Sequence, residues 1–134
     1  MYKKIVVALA LDHGIGHASI EAARKLLDDG GQIIAVHICE PIPSSTSAMV
    51  SEDILQAGFQ KAGERLSERV ADSADIETVL LRGNPGRTIS EYSKEIDADC
   101  IVIGSHNPGL SDFFLGSTAA RVVRYANCSV LVVR

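Results

Sequence analysis

Apolar residues in this chain fall into short unbroken runs separated by stretches with helical spacing. Ile5 to Leu11 (I-V-V-A-L-A-L) is continuous rather than alternating, as in a central parallel strand covered on both faces. Asp12-His13-Gly14-Ile15-Gly16 breaks it. Ser19 then starts a helix with Ile20, Ala23, Leu26 and Leu27 on one face, and Asp28-Asp29-Gly30-Gly31 stops it. Gln32 to Ile38 reads as a second buried strand, and the Pro/Ser/Thr-rich stretch from Pro41 to Met49 as a surface loop.

Ser51 caps the next helix, with Glu52 and Asp53 in its first turn, where negative charge is favoured. Leu55, Phe59, Ala62, Leu66 and Val70 form its apolar stripe. Ile76 to Leu81 alternates more and predicts an edge strand. Gly83-Asn84-Pro85-Gly86 turns the chain, and Thr88-Ile89-Ser90-Glu91 fits a capping box for a third helix with Ile89, Tyr92 and Ile96 inward. Cys100 to Ile103 is a fourth strand. A fourth helix from about Ser117 carries Ala119, Val122, Val123 and Ala126, and Ser129 to Val133 is a fifth strand.

Every crossover in this β-α-β-α-β-α-β-α-β order is a helix. The pattern therefore predicts a single open parallel five-stranded sheet with helices on both faces, a doubly wound α/β domain spanning residues 1–134. Such sheets bind ligands beyond the carboxyl ends of their strands, where the strand order reverses. With the order 3-2-1-4-5 that point lies between strands one and four. The Asp12-to-Gly16 turn and the Gly104-to-Gly116 loop would then face each other across it.

Composition narrows the function. The chain of 134 residues is 46% hydrophobic and 22% charged, as in an ordinary globular protein able to bury a core. A net charge of −4 with scattered Lys and Arg argues against nucleic-acid binding. No apolar run approaches the ~20 residues of a membrane span, and no signal peptide is visible. Cys39, Cys100 and Cys128 lack metal-ligand spacing. A reducing cytoplasm is the expected setting.

The chemistry centres on Ile101 to Thr118, I-V-I-G-S-H-N-P-G-L-S-D-F-F-L-G-S-T. A strand ends at Gly104, a loop carries Gly109 and Gly116, and Gly116-Ser117-Thr118 opens a helix. Glycine lets backbone approach a ligand closely, and a helix start offers free N–H groups and positive dipole charge to a phosphate. The alternative is a crossover loop whose glycines only make turns. Gly14-Ile15-Gly16 suggests a dinucleotide fingerprint, but Ser19 replaces its third glycine and no acid ends strand two as expected, although Glu40 is nearby. Asp12, His13 and His17 show no fourth metal ligand and read as cap and turn residues. His37 reads as packed within strand two, and Cys39 as an inert thiol. Arg121 and Arg124 read as a solvated face of the fourth helix, the alternative being contact with phosphates or a partner subunit.

The layout, the opening K-K-I-V-V-A, the A-V-H-I at 35–38, the G-N-P at 83–85 and the G-S-H…L-G-S-T running into C-S-V-L-V-V-R resemble the universal stress protein family. The likeness covers essentially the whole chain and points to the small, single-domain, nucleotide-binding branch. It implies a Rossmann-like fold of the adenine nucleotide alpha hydrolase type. The family pattern is glycine, two residues, glycine, nine residues, glycine-Ser/Thr. Gly104 and Gly116-Ser117 match it. Asn107 replaces the middle glycine, and the loop is one residue shorter. Ala10 stands where the family carries an aspartate at the end of strand one, and Asp12 follows two residues later, on the same strand face or beyond a bulge.

The resemblance implies that the backbone around Ile38 binds adenine and that Ile103 and Gly104 line base and ribose. It places His106, Asn107, Gly109, Gly116, Ser117 and Thr118 around the phosphates, with Ser117 a candidate Mg²⁺ ligand. It also implies a homodimer, or a higher oligomer, through an edge strand at Ser129–Val133. No Walker lysine follows the glycine loop, and nothing orients His106 or Asp112 toward a water, so hydrolysis of ATP is expected to be slow at most. The expected function is ATP-dependent regulation in a stress response. The competing readings are a dimerising stress protein that binds no nucleotide and an adenylate-chemistry enzyme of related fold.

Overall fold

A computed structural model describes residues 1–11, 16–105 and 115–134, apart from the side chains of Ser44 and Ser47. Five strands form one parallel sheet in the order β3-β2-β1-β4-β5. The strands are β1 (Tyr2–Ala8), β2 (Leu27–Cys39), β3 (Glu77–Arg82), β4 (Cys100–Gly104) and β5 (Ser129–Val133). Crossovers run through α1 (Gly16–Leu26), α3 (Glu52–Arg69), α4 (Pro85–Glu95) and α5 (Ser117–Tyr125), with a single turn, α2 (Ser44–Ser47), inside the stretch expected to be loop. The predicted order of strands is the observed one.

The unbroken apolar runs have a simple cause: both faces of the central strands are buried. Ile5, Val7, Ile33, Ala35, Cys100 and Val102 point into a core under α1 and α3. Val6, Ile34, Val36, Ile101 and Ile103 point into a second core under α4 and α5. Ile5, Val6, Val7, Ile101 and Val102 are completely buried. At the amino-terminal end of these strands, Asp99 accepts hydrogen bonds from the Lys3 and Lys4 amides at 2.8 and 3.1 Å, joining β1 to the entry of β4.

Several boundaries differ from the sequence reading, each for a local reason. β1 ends at Ala8, not Leu11. Leu9 and Leu11 remain buried in the same core as Ile5 and Val7, beyond the last paired residue of β1. α1 starts at Gly16 rather than Ser19. Asp28-Asp29-Gly30-Gly31 does not stop a helix: β2 already begins at Leu27. The four residues fall within a register shift, in which Tyr2 pairs with Leu27 and Lys4 with Gln32. Gly30 takes φ +78° there, a backbone that L side chains adopt at a cost.

The expected capping box at Thr88 is also absent. Asn84 caps α4 through a 3.2 Å bond from the Arg87 amide, and Pro85 fills the first helical position, where its missing N–H costs nothing. Glu91 pairs with Arg87 at 2.8 Å instead of reaching back to a cap. Ser51 caps α3 as expected, bonding the Ile54 amide at 3.3 Å. In the α3 stripe Leu66 is 1% exposed, whereas Leu55, Phe59 and Ala62 are half-buried. The Arg82 guanidinium of edge strand β3 lies 4.0 Å over the Phe59 ring. On α5, Ala119 and Val122 are buried, but Val123 faces solvent at 49% exposure.

Ser93 of α4 is 0% exposed, and its hydroxyl has no hydrogen-bond partner among the described residues. A sealed, unpaired hydroxyl is destabilising, and alanine is the better helix former. Ser93→Ala is therefore expected to stabilise the protein by about 1 kcal/mol, read as a rise in Tm of several degrees in thermal unfolding. A fall in Tm would show that the hydroxyl has a favourable role in the core.

Candidate functional site

The carboxyl ends of β2, β1 and β4 open into a cleft of about 400 Å³, within the range of small-molecule sites. It lies where the order reverses, with β2 on one side of β1 and β4 on the other. Strand ends supply Ala8 to Leu11, Val36 to Ile38, Glu40, and Ile103 to Ser105. Helix starts supply Gly16 and Ser19 from α1, Pro85 and Ile89 from α4, and Gly116 to Ala119 from α5.

Of the residues that the sequence singled out, Ala10, Ile38, Ile103, Gly104, Gly116, Ser117 and Thr118 all line this one cleft. Asp12, His106, Asn107 and Gly109 lie outside the described residues, as do His13 and Asp112. The structure adds residues to which sequence reasoning gave other roles. His37 is half-buried and lines the cleft rather than serving only as strand packing. Glu40 is the single acid lining it among the described residues. Ser19 faces it from the end of the first turn of α1 rather than capping that helix. The available signal was position: His37 and Glu40 flank Ile38 at the carboxyl end of a parallel strand.

Three helices point their N-termini at this space, and their partial positive charges converge there. They differ in how their first amides are satisfied. α4 has the Asn84 side chain. α5 begins at Gly116 with no side-chain cap, and its first internal bond runs from the Ala120 amide to the Gly116 carbonyl at 2.9 Å. The Ser117, Thr118 and Ala119 amides therefore have no acceptor among the described residues. Ser117 and Thr118 place hydroxyls beside them. The start of α5 is fixed by two backbone bonds: the Gly116 amide donates to the Ser105 carbonyl at 2.5 Å, and the Ser105 amide to the Val133 carbonyl at 2.9 Å.

The floor is held as firmly. Beyond the last ladder pair of β1, the Leu9 amide donates to the Val36 carbonyl at 2.8 Å. His37 Nδ1 lies 2.8 Å from the Leu9 carbonyl. A carbonyl only accepts, so the proton sits on Nδ1. Two arginines of α3 close the end of this segment: Arg65 and Arg69 donate to the Leu11 carbonyl at 3.0 and 2.6 Å.

The thiols offer no activated nucleophile. Burial pushes Cys39 up despite the opposing charge of Arg82, and burial, with Cys128 and Asp99 nearby, takes Cys100 to about 11. No group of three or more His, Cys, Asp or Glu side chains suited to a metal occurs among the described residues. None of the described helices is long and apolar enough to cross a membrane. The arrangement has the means to hold an anion at one end and a flat apolar group at the other.

Comparison with known proteins agrees with this geometry. The profile of the Universal stress protein family matches residues 1–134. Universal stress protein G of Shigella flexneri is 32% identical over 148 aligned positions, which cover 100% of both chains. Among solved structures, universal stress protein UspA from Lactobacillus plantarum superposes with a TM-score of 0.74 at 24% identity, covering 99% of this chain and 98% of its own. The universal stress protein from Archaeoglobus fulgidus in complex with dAMP has a TM-score of 0.56 at 25% identity and covers 99% of this chain and 98% of its own. Another universal stress protein, in complex with cAMP, has a TM-score of 0.64 at 24% identity, with 99% and 97% covered. With a family profile and a curated relative both matched from end to end, the chain belongs to the universal stress protein family.

Proposed function

We propose that the cleft binds ATP and that the bound state, rather than turnover, is the protein's output. The observation that carries this reading is the uncapped start of α5, three amides and two hydroxyls opening on a cleft at the switch point. Unpaired amides at a helix start suit a phosphate. The dAMP complex of the Archaeoglobus fulgidus relative supports a nucleotide of this class.

The ends of the cleft orient the ligand. Glu40 repels phosphate, so the base and ribose lie toward β2, between Ile38 and Ile103, and the phosphates lie toward Gly116, Ser117 and Thr118. The Ser117 hydroxyl fits Mg²⁺ as one oxygen ligand beside those of the phosphates. Mg²⁺ usually binds nucleotides through few protein oxygens, and it would neutralise phosphate charge here. Family resemblance adds His106, Asn107 and Gly109 at the phosphate end and Asp12 near the ribose.

The test is titration calorimetry with ATP, alongside acid release of any nucleotide retained through purification. Binding near one nucleotide per chain is expected. A protein that is purified empty and does not bind added ATP would instead be the dimerising module without nucleotide. A companion variant checks the orientation. Glu40→Ala is expected to weaken ATP about tenfold, the cost of a hydrogen bond to a charged acceptor, and to leave dATP unchanged or tighter. The expectation is that Glu40 accepts a hydrogen bond from the ribose 2′-hydroxyl, which dATP lacks, and equal losses for both nucleotides would rule that contact out.

The edge position of β5 supports a dimer. Antiparallel pairing of Ser129–Val133 across a twofold axis would cover its outer side. Light scattering after size exclusion reads this directly, and a monomer would exclude it.

A further inference from the structure

His37 borders the cleft, is only half-buried, and holds a fixed orientation. Ile38 points into the core under α4 and α5, so His37, its neighbour on β2, leans to the opposite face of the sheet. There its Nδ1–H reaches across to the end of β1 and donates to the Leu9 carbonyl at 2.8 Å. Leu9 is itself held in place, because its amide donates to the Val36 carbonyl at 2.8 Å.

One ring nitrogen is thereby committed, and the chemistry of the other follows. In a neutral imidazole with its proton on Nδ1, Nε2 carries only a lone pair and can only accept. That nitrogen has no hydrogen-bond partner among the described residues. The Glu40 carboxylate lines the same cleft and also only accepts. These two side chains therefore offer two acceptors and no donor at the end of β2, which suits no phosphate. They match a ligand group that brings donors of its own. An exocyclic amine carries its donors on one atom. A ribose diol carries one on each of two adjacent oxygens, which suits acceptors rooted at different points of the strand end.

We propose that His37 Nε2 accepts a hydrogen bond from the ribose 3′-hydroxyl, beside the 2′-hydroxyl bonded to Glu40. The end of β2 then reads an intact ribose diol. The proposal rests on the nucleotide reading of the cleft and adds a selectivity to it. Nucleotides whose 3′-oxygen is absent or esterified, 3′,5′-cyclic monophosphates included, bind less well.

Calorimetry with ATP, 3′-deoxy-ATP and dATP on the wild type and His37→Asn tests it. The asparagine amide can still donate to the Leu9 carbonyl in place of Nδ1, but it has nothing at the position of Nε2. The wild type should bind 3′-deoxy-ATP about fivefold more weakly than ATP, the loss expected for one hydrogen bond between neutral groups. His37→Asn should bind ATP about fivefold more weakly, lose its preference over 3′-deoxy-ATP, and keep the preference over dATP that Glu40 confers. A wild type indifferent to the 3′-hydroxyl would overturn the proposal, and this is readable even if the variant does not fold. A variant that still discriminates at the 3′ position, as a purely structural role of His37 requires, would overturn it too. Both outcomes leave the nucleotide reading standing. A wild type that binds none of the three nucleotides would overturn both.

Discussion

Gly116→Val is expected to reduce ATP affinity at least about a hundredfold while leaving the fold intact. Gly116 has φ −59° and ψ 154°, which any residue can adopt, so backbone strain does not enter. The effect comes from the added side chain. Gly116 lines the cleft directly before the Ser117, Thr118 and Ala119 amides, which have no acceptor among the described residues. Branched carbons there hold a phosphate away from these donors. Losing two charge-assisted hydrogen bonds, at about 1.5 kcal/mol or more each, accounts for the factor. Calorimetry on a variant with wild-type Tm measures it. A variant that binds ATP like the wild type would move the phosphates off α5.

The second large effect concerns stability. α4 and α5 cross where Gly86 has no side chain: a Cβ built on it would lie 2.6 Å from Arg121 Cβ and 3.1 Å from Arg121 Cδ. The nearest of these atoms is fixed to the α5 backbone and cannot rotate away. Gly86→Val therefore forces the two helices apart, at a cost of about 3 kcal/mol. For a chain of 134 residues that corresponds to a fall in Tm of roughly 10 °C, read by thermal unfolding. Adding Arg121→Gly should restore part of the loss by reopening the space, so the two changes will not be additive. An unchanged Tm in the single variant would mean that this crossing tolerates a wider separation.

The sequence made the sheet legible because burial on both faces turns a parallel strand into an unbroken apolar run. Ile5–Val7 and Ile101–Val102 show this most clearly. It made the ends less legible, because an apolar residue does not declare what it packs against. Leu9 and Leu11 continue the run of β1, yet they support the cleft floor. Asp28 to Gly31 has the composition of a helix stop, but the pairing of β1 with β2 absorbs it, with Gly30 supplying the positive φ. At α4 the expected cap at Thr88 gives way to Asn84, four residues earlier in what reads as a turn, because Pro85 fits the first helical position.

The glycines and hydroxyls of the site were readable from Gly104 and Gly116 to Thr118, where backbone chemistry has a local signature. His37, Glu40 and Ser19 carry no such signature. Their roles come from topology, which brings the end of β2 and the first turn of α1 to one space.

The bond between the Gly116 amide and the Ser105 carbonyl has a further consequence. It is a chord that closes the ten residues from 106 to 115 into a loop anchored at both ends. The positions of strand end and helix start are then set by the chord rather than by the length of chain outside it. The entropy of closing a loop grows only logarithmically with its length, about 0.6 kcal/mol per doubling. A loop one residue shorter than the family pattern therefore leaves the start of α5 where the chord sets it. A change of chain length in this segment would cost little and leave the helix start that it leads into in place.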